Sequence, residues 1–338
     1  MKIAVLMGGT SAERDVSLAS GLRIAQALRE RGHSVVSIDT TRGALDRAEE
    51  AAALAAGVMH AAPPKLEALQ RMGGTSLASW RDTTEQTHSA DVIFLALHGG
   101  QGEDGTVQAL LDLTGVPYTG SGHLASALAM DKDLSKKLFA AAGVPTPKWR
   151  MAPVAADMVR RELGFPVIVK PSKQGSTVGL SIVREPSELD AAVAEAFRYD
   201  DEVMVEEFIP GRELTVGVLG TEALPVGEIK PKHEIYDYEC KYTKGMAEEE
   251  FPANLSPEQT AEVQRLALAA FFALKLRGYA RIDFRMNPAG EFYCLEANTL
   301  PGMTELSLIP QAAAASGIPF AELCERIVQS ALATGKEQ

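Results

Sequence analysis

Cysteine is scarce: the 338 residues hold three, Cys240, Cys294 and Cys324, scattered along the chain. No pair has metal-ligand spacing, so neither a disulfide framework nor a thiolate zinc site is expected. The six histidines include no HExxH pattern, which removes the usual zinc hydrolases. No apolar run approaches the roughly 20 residues of a membrane span, so no membrane partner is expected. The opening MKIAVLMGGT has one lysine and a short apolar run, without a signal-peptide core or cleavage site. The cytoplasm is therefore the expected location. Positive charge is in deficit, 33 Lys and Arg against 45 Asp and Glu, net −12. Nucleic acid needs a basic footprint and is not an expected partner. Local lysines, arginines and backbone amides can still hold a small anion.

What is present is a globular composition, 46% hydrophobic, in a chain too long for one simple core; two or three domains are expected. KIAVLM at 2–7 reads as a buried strand. A loop, GGTSAER, follows, then a helix near 15–31 with Leu18, Leu22, Ala25 and Leu28 at helical spacing, ended by Gly32. HSVVSID is the next strand, and the β-loop-α-β order predicts a parallel sheet. Residues 41–89 are alanine-rich, then carry Pro63-Pro64 and a polar run; they read as one or two surface helices with loops and no chemistry. DVIFLAL is a buried strand, HGGQGEDG a glycine-rich loop, TVQALLDLTG a short helix and LASALAMDKDLSKKLFAAAG a further helical stretch.

After residue 150 the pattern shifts. PVIVKPSKQGSTVGLSIV reads as two strands around a glycine- and hydroxyl-rich loop, and SELDAAVAEAFRY as a helix opened by Ser187. EVMVEEFI and RELTVGVLG are strands flanking the Pro210-Gly211 turn. Residues 257–277 form a long amphipathic helix, YARIDFRM-NPAG-EFYCLEAN a hairpin, and AELCERIVQSALATG a closing helix.

The hairpin carries the chemistry. A four-residue turn at 287–290 would pair Met286 with Glu291, Asp283 with Cys294 and Arg281 with Glu296. Arg281, Asp283, Glu296 and Asn298 then share one face, while Ile282, Phe284, Tyr293 and Leu295 face a core. Two carboxylates and an amide oxygen are hard donors suited to Mg2+ beside phosphates; a solvated face with an Arg–Glu pair is the plain alternative. Lys170 ends the apolar PVIVK, and the KQGSTVG loop offers backbone amides to phosphate oxygens, although no GK[ST] makes it a Walker loop. Lys132, in AMDKDLSKK, reads by itself as a helix-surface lysine. In EEFIPGRE, backbone groups could bond an adenine edge and Glu213 a ribose, or the segment is a strand, a turn and exposed acids.

MGGTSAERDVS, LHGGQGEDG, YTGSG, MDK, PVIVKPSKQGSTVG, VEEFIPGRE, YDYECKY, RIDF and LEANTLPGMTELS succeed one another in an order that resembles the D-alanine–D-alanine ligases of the ATP-grasp superfamily. The likeness covers most of the chain, residues 41–89 excepted. It implies an α/β and α+β fold, a Rossmann-like parallel-sheet domain followed by two ATP-grasp subdomains. The implied division is 1–120, with 41–89 as an extended insert, then 121–208 and 209–338. The implied reaction joins two D-alanines through an acyl phosphate, releasing ADP and phosphate, for peptidoglycan precursor synthesis, in a homodimer; D-lactate or D-serine is the alternative acceptor.

By the same resemblance, Lys132 and Lys170 touch nucleotide phosphates. Glu206, Glu207, Ile209 and Glu213 contact adenine and ribose, Glu207 and Ile209 through backbone. Asp283, Glu296 and Asn298 ligate two Mg2+ ions, with Mn2+ able to substitute. Arg281 and the Gly302 amide stabilise an oxyanion. Glu13 anchors the first D-alanine's ammonium, with Ser176 and Tyr242 as hydrogen-bonded partners and His98 alongside. Lys241 and Ser307 sit where the family holds the γ-phosphate and the second D-alanine's carboxylate, and Leu308 adjoins that substrate. Residues 232–250 resemble a mobile lid. Gln174 stands where some relatives have glutamate. A competing reading, a nicotinamide dehydrogenase with Asp39 on a ribose, is weakened because the first loop is GGTSAE rather than GxGxxG. The remaining competitors are an ATP-grasp ligase with another acceptor and a non-catalytic nucleotide sensor.

Overall fold

The structure, a computed structural model, describes residues 1–55, 77–243, 245–304 and 307–334, with the backbone alone at 77–79, 81–82 and 242. The expected surface insert is therefore described only at its two ends. The chain opens with β1 (Lys2–Met7), α1 (Arg14–Glu30), β2 (Ser34–Asp39), β3 (Gly43–Leu45), α2 (Arg47–Ala55), α3 (Leu77–Thr87) and β4 (Val92–Leu95). These strands form one sheet in the order β3-β2-β1-β4. β1 pairs parallel with β2 and β4, and β3 joins antiparallel at the edge. Ile3–Met7 and all of β4 are buried, the continuous apolar run of strands covered on both faces. The expected parallel sheet is present.

α4 (Thr106–Asp112), α5 (His123–Met130) and α6 (Lys132–Ala141) follow. The single helical stretch expected from 124 to 143 is thus two helices. Asp131 divides them: its backbone is extended, and its side chain accepts the Leu134 N–H as the N-cap of α6. Lys132 becomes the first residue of a new helix, 6% exposed, and not a surface lysine.

β5 (Trp149–Met151), α7 (Ala156–Glu162), β6 (Val167–Pro171), β7 (Ser181–Val183), α8 (Leu189–Ala196) and β8 (Val203–Glu207) build a second sheet, antiparallel, ordered β5-β8-β6-β7. Ser187 does not open the helix. It lies in a 3₁₀ turn, Pro186–Glu188, whose entry is closed by the Glu188 carboxylate accepting the N–H groups of Arg184 and Glu185.

The third sheet holds β9 (Arg212–Leu219), β10 (Glu222–Ala223), β11 (Gly227–Pro231), β12 (Ala247–Glu250), β13 (Tyr279–Met286) and β14 (Phe292–Asn298), in the order β12-β11-β9-β13-β14 with β10 paired to β9. α9 (Tyr238–Tyr242) lies between β11 and β12, so the expected lid segment contains a short helix and an edge strand. α10 (Pro257–Ala273) has a capping box from Ser256 and Gln259 with Pro at its first position. It stops short of residue 277, where Lys275 turns left-handed at φ 57°. α11 (Leu308–Ala315) and α12 (Phe320–Thr334) end the described chain. Leu323, Cys324, Ile327 and Val328 of α12 pack into the core of the first sheet, and Glu325 meets His33 at 2.6 Å. Among the described residues no helix is long and apolar enough to cross a membrane.

The hairpin register differs from expectation. Met286 pairs with Phe292, Phe284 with Cys294, and, after an irregularity, Asp283 with Glu296 and Arg281 with Asn298. The turn takes in Glu291, because the Asn287 side chain accepts the Glu291 N–H at 2.9 Å. The irregularity leaves Leu295 without a cross-strand partner, a β-bulge. Cys294 and Ala297 are consequently both in the core, and Leu295 and Glu296 both face away from it. Tyr293 and Leu295 are therefore not core residues. Arg281, Asp283, Glu296 and Asn298 do share one face, through pairings other than those predicted.

Candidate active site

That face forms one wall of a cleft between the second and third sheets. One chamber is lined by Lys132, Lys170, the 174–178 loop, Glu206–Ile209, Glu213, Leu295 and Glu296. A second is lined by Glu13, His98, Glu103, Asn298, Gly302 and Ser307. Gly175, Ser176, Tyr236, Lys241, Arg281 and Leu308 line both. The cleft thus gathers groups from all three sheets.

Asp283 accepts from the Thr215 hydroxyl at 2.7 Å, Arg281 Nη2 at 2.8 Å and Asn298 Nδ2 at 2.9 Å. Glu296 meets Lys132 Nζ at 3.2 Å, and the same ammonium donates to the Gln174 carbonyl at 2.8 Å. Burial opposes ionisation of Glu296, but Lys132, Lys241, Lys170 and Arg281 outweigh it and bring its pKa to about 2. Burial likewise opposes the Arg281 cation, and Asp283 reverses that and raises its pKa.

Glu206 is not an exposed acid. It is 2% exposed and accepts from Lys170 at 2.7 Å and Lys136 at 2.5 Å. Lys136 was not legible as a site residue: it reads as one more lysine on α6, yet it is fully buried and also donates to Thr146 at 2.7 Å. Burial lowers the Lys136 pKa, Glu206 raises it and Lys170 lowers it again. Two ammonium groups on one carboxylate keep Glu206 ionised and below its ordinary value despite burial. Glu213 lies 3.2 Å from Arg285, which also donates to the Ile209 carbonyl at 3.1 Å. The Glu207 N–H donates to the Lys148 carbonyl at 2.8 Å.

In the second chamber the Ser176 hydroxyl donates to Glu13. Ser176 and Thr177 sit at φ 51° and 59°, a region that costs non-glycine residues about 1–3 kcal/mol. The backbone comes close to Glu13 on two sides: a Cβ on Gly175 would lie 3.1 Å from its carboxylate, and one on Gly99 at 2.8 Å. His98 is tied down at both nitrogens, by the Leu300 carbonyl at 2.7 Å and Ser20 Oγ at 3.2 Å. Ser20 Oγ in turn accepts the Met303 N–H at 3.0 Å. Burial keeps His98 below its ordinary pKa, and it is the neutral ring that donates to Leu300.

Glu103 and Tyr236 are further cleft residues that sequence reasoning missed, although both stand inside quoted motifs. Glu103 accepts the Gly99 N–H at 2.7 Å and the Leu300 N–H at 3.2 Å. Burial and the nearby Glu13 charge push its pKa up to about 8. Lys241 Nζ lies 5.5 Å from the centre of the Tyr236 ring. Ser307 Oγ accepts the Thr304 N–H at 2.9 Å and fills the space beside Gly302, where a Cβ would come within 2.8 Å of it. The Tyr242 side chain, and Glu305 and Leu306 of the last motif, lie outside the described residues. Asp39 is held by Arg14 at 2.5 Å, with no room for a Cβ on Gly8. It is a structural acid, and the dehydrogenase reading loses its ribose contact.

Known proteins resemble this chain over nearly its whole length. Residues 2–121 match the family model described as "D-ala D-ala ligase N-terminus", and residues 138–329 match "D-ala D-ala ligase C-terminus". The chain is 46% identical over 333 residues to the D-alanine–D-alanine ligase of Pelobacter propionicus, covering 98% of this chain and 96% of the relative. It is 42% identical to that of Aquifex aeolicus, covering 97% and 100%. A crystal structure of the Bacillus anthracis D-alanine–D-alanine ligase superposes with TM-score 0.80 at 34% identity, covering 100% of this chain and 99% of that one. The same enzyme complexed with ATP gives TM-score 0.79.

Proposed function

The chain belongs to the D-alanine–D-alanine ligase family, and from that premise and the cleft geometry we propose that it joins two D-alanines at the expense of ATP. A carboxylate oxygen of the first D-alanine attacks the γ-phosphorus, and ADP leaves. The amine of the second attacks the resulting acyl phosphate carbon, phosphate leaves, and the amine gives up a proton. The product is D-alanyl-D-alanine for peptidoglycan precursors. The observation that carries the reading is the convergence of Asp283, Glu296, Asn298 and Arg281 with Lys132 and Lys170 on one cleft.

Both steps bring anions together, and the protein's main task is electrostatic. The donors fit a hard divalent ion: Asp283 and Glu296 are cross-strand partners, and Asn298 adds an amide oxygen. These three would hold two Mg2+, or Mn2+ in substitution. When bound, the ions offset charge on the phosphates. Lys132, Lys170 and Lys241 meet the phosphates. Glu206, through its lysines, sets the floor of the nucleotide chamber; Glu207 and Ile209 backbone groups face adenine, and Glu213 the ribose.

Glu13 takes the first substrate's ammonium, oriented by Ser176 and, on sequence grounds, Tyr242, with neutral His98 shaping the chamber. Arg281 and the Gly302 N–H meet the tetrahedral oxyanion, where a planar guanidinium holds geometry better than lysine. Ser307 and Leu308, at the N-terminus of α11, receive the second substrate, whose carboxylate is favoured by the helix dipole. The Tyr242–Ser176–Glu13 group or the departing phosphate takes the amine's proton. A lid at 232–250, a division at 1–120, 121–208 and 209–338, a cytoplasmic location and a homodimer complete the proposal.

The test is direct. Purified protein with ATP, Mg2+ and D-alanine should yield ADP, phosphate and dipeptide in equal amounts, and L-alanine should yield none. ADP release without dipeptide, or a preferred product with D-lactate or D-serine, would overturn the assignment.

A further inference from the structure

Outside the carboxylate face, one other group of side chains has the make-up of a cation site. His233, Asp237 and Cys240 bring an imidazole nitrogen, a carboxylate oxygen and a sulfur within 4.8 Å of one another. His233 Nδ1 already meets Asp237 Oδ2 at 2.7 Å. The other Asp237 oxygen accepts the Cys240 N–H at 2.9 Å as the cap of α9, so the carboxylate is oriented from both sides. Around a tetrahedral ion with bonds of about 2.0–2.3 Å two donors stand about 3.3–3.8 Å apart, so the widest separation must close by about 1 Å and the His233–Asp237 contact must open to admit the ion. His233 and Asp237 are open to solvent while Cys240 is buried, which supplies an entry side and an anchored sulfur.

The geometry points to a second cation site at His233, Asp237 and Cys240, for a borderline transition-metal ion such as Zn2+, that clamps the turn presenting Tyr236 and Lys241 to the cleft. Imidazole with thiolate selects such an ion over Mg2+, which prefers oxygen. On binding, the proton shared by His233 and Asp237 and the thiol proton of Cys240 pass to solvent, and water completes the coordination. Tyr236 lies between the first two ligands, and Lys241 follows the third; both line both chambers. Cys240 packs with Tyr236 and Leu308 in one small apolar cluster. An ion there would restrain the segment proposed above as a lid. Binding itself does not depend on the proposed reaction; only the restraint on turnover rests on it.

The test titrates the full chain with Zn2+ against a chromophoric chelator, with excess Mg2+ present throughout, and repeats it with Co2+ to read thiolate ligation by absorption. Wild type should bind one Zn2+ per chain and show the sulfur-to-cobalt charge-transfer band. Loss of a partner behind a ligand already costs about 10–100-fold in metal affinity, so His233→Gln and Cys240→Ala should each weaken binding at least tenfold. His233→Gln changes a solvent-open side chain and keeps the test valid if Cys240→Ala fails to fold. Zn2+ should slow ADP release in wild type and not in His233→Gln. The proposal falls if wild type binds no Zn2+, if the cobalt form lacks the band, or if wild type and His233→Gln bind Zn2+ equally. Equal inhibition of the two proteins would place the ion at Asp283 and Glu296 and also overturn it. Zn2+ binding without dipeptide formation in either protein would leave this site standing and remove the proposed function instead.

Discussion

The Lys132 ammonium stands 3.2 Å from the Glu296 carboxylate, joining the first turn of α6 to the last strand of the third sheet. Three further cations hold Glu296 ionised with it. The same lysine bonds the loop after β6. One side chain therefore sets the distance between the two walls of the cleft.

Glu296→Gln and Asp283→Asn should each lower Mg2+-dependent ADP release by about 10²-fold or more, with the far-UV spectrum and cooperative melting kept. Wild-type turnover in either variant would remove the metal-ligand assignment. Glu296 also predicts an acid limb. Its folded pKa of about 2 lies below the ordinary 4.5. The stability it contributes is present above about pH 4.5 and is lost as the pH falls toward about 2. Urea unfolding of wild type and Glu296→Gln should show a gap that closes over that range.

Glu103 predicts the opposite slope. Its folded pKa, about 8, lies above the ordinary 4.5, so its contribution is complete below about pH 4.5 and is lost as the pH rises through 8. The stability difference between wild type and Glu103→Ala should shrink from pH 5 to pH 9 in urea titrations. A difference that stays constant would mean that Glu103 is ionised throughout.

Lys136→Met should destabilise the fold by about 3 kcal/mol, since it removes one of two cations from a buried carboxylate. The neighbouring Lys137, exposed and paired with Asp133 one turn back along its helix, provides the contrast: Lys137→Met should leave stability essentially unchanged. Thermal melts of the two variants side by side would decide it.

Tyr242→Phe should relax the choice of second substrate, because an orienting hydroxyl is lost. Product analysis with D-alanine and D-lactate supplied together should show a larger share of depsipeptide; an unchanged ratio counts against the role given to Tyr242.

Much of this architecture was legible in the sequence because it is written in local patterns. The apolar β1 and β4, the glycine-rich turns and the Lys170 loop each announce themselves within ten residues. What was missed depends on distant partners. Lys132 and Lys136 carry no mark of burial on α6; their carboxylate partners come from β14 and β8. Asp131 looks like one more polar residue in a helical run until its side chain caps the next helix. The hairpin register failed because strict alternation has no means of representing a bulge. That Arg281, Asp283, Glu296 and Asn298 share one face was still read correctly, since the slipped turn and the unpaired Leu295 compensate beyond Cys294. That α12 returns to the first sheet is a matter of long-range packing, invisible to periodicity.

The unpaired Leu295 has a consequence for insertions and deletions. Flanked by Cys294 and Glu296, it lets a greasy side chain and an anionic one stand shoulder to shoulder where ordinary pleating would set them back to back. Without the bulge, strict alternation of the full-length strand would turn Glu296 in beside Phe284 and Cys294; removing Leu295 instead restores the pleat with Glu296 still opposite Asp283 and Cys294 and Ala297 still in the core. Replacing Leu295 by another apolar residue leaves the count unchanged. What the extra residue adds is an apolar side chain on the cleft wall beside Glu296, without changing the face on which Glu296 stands.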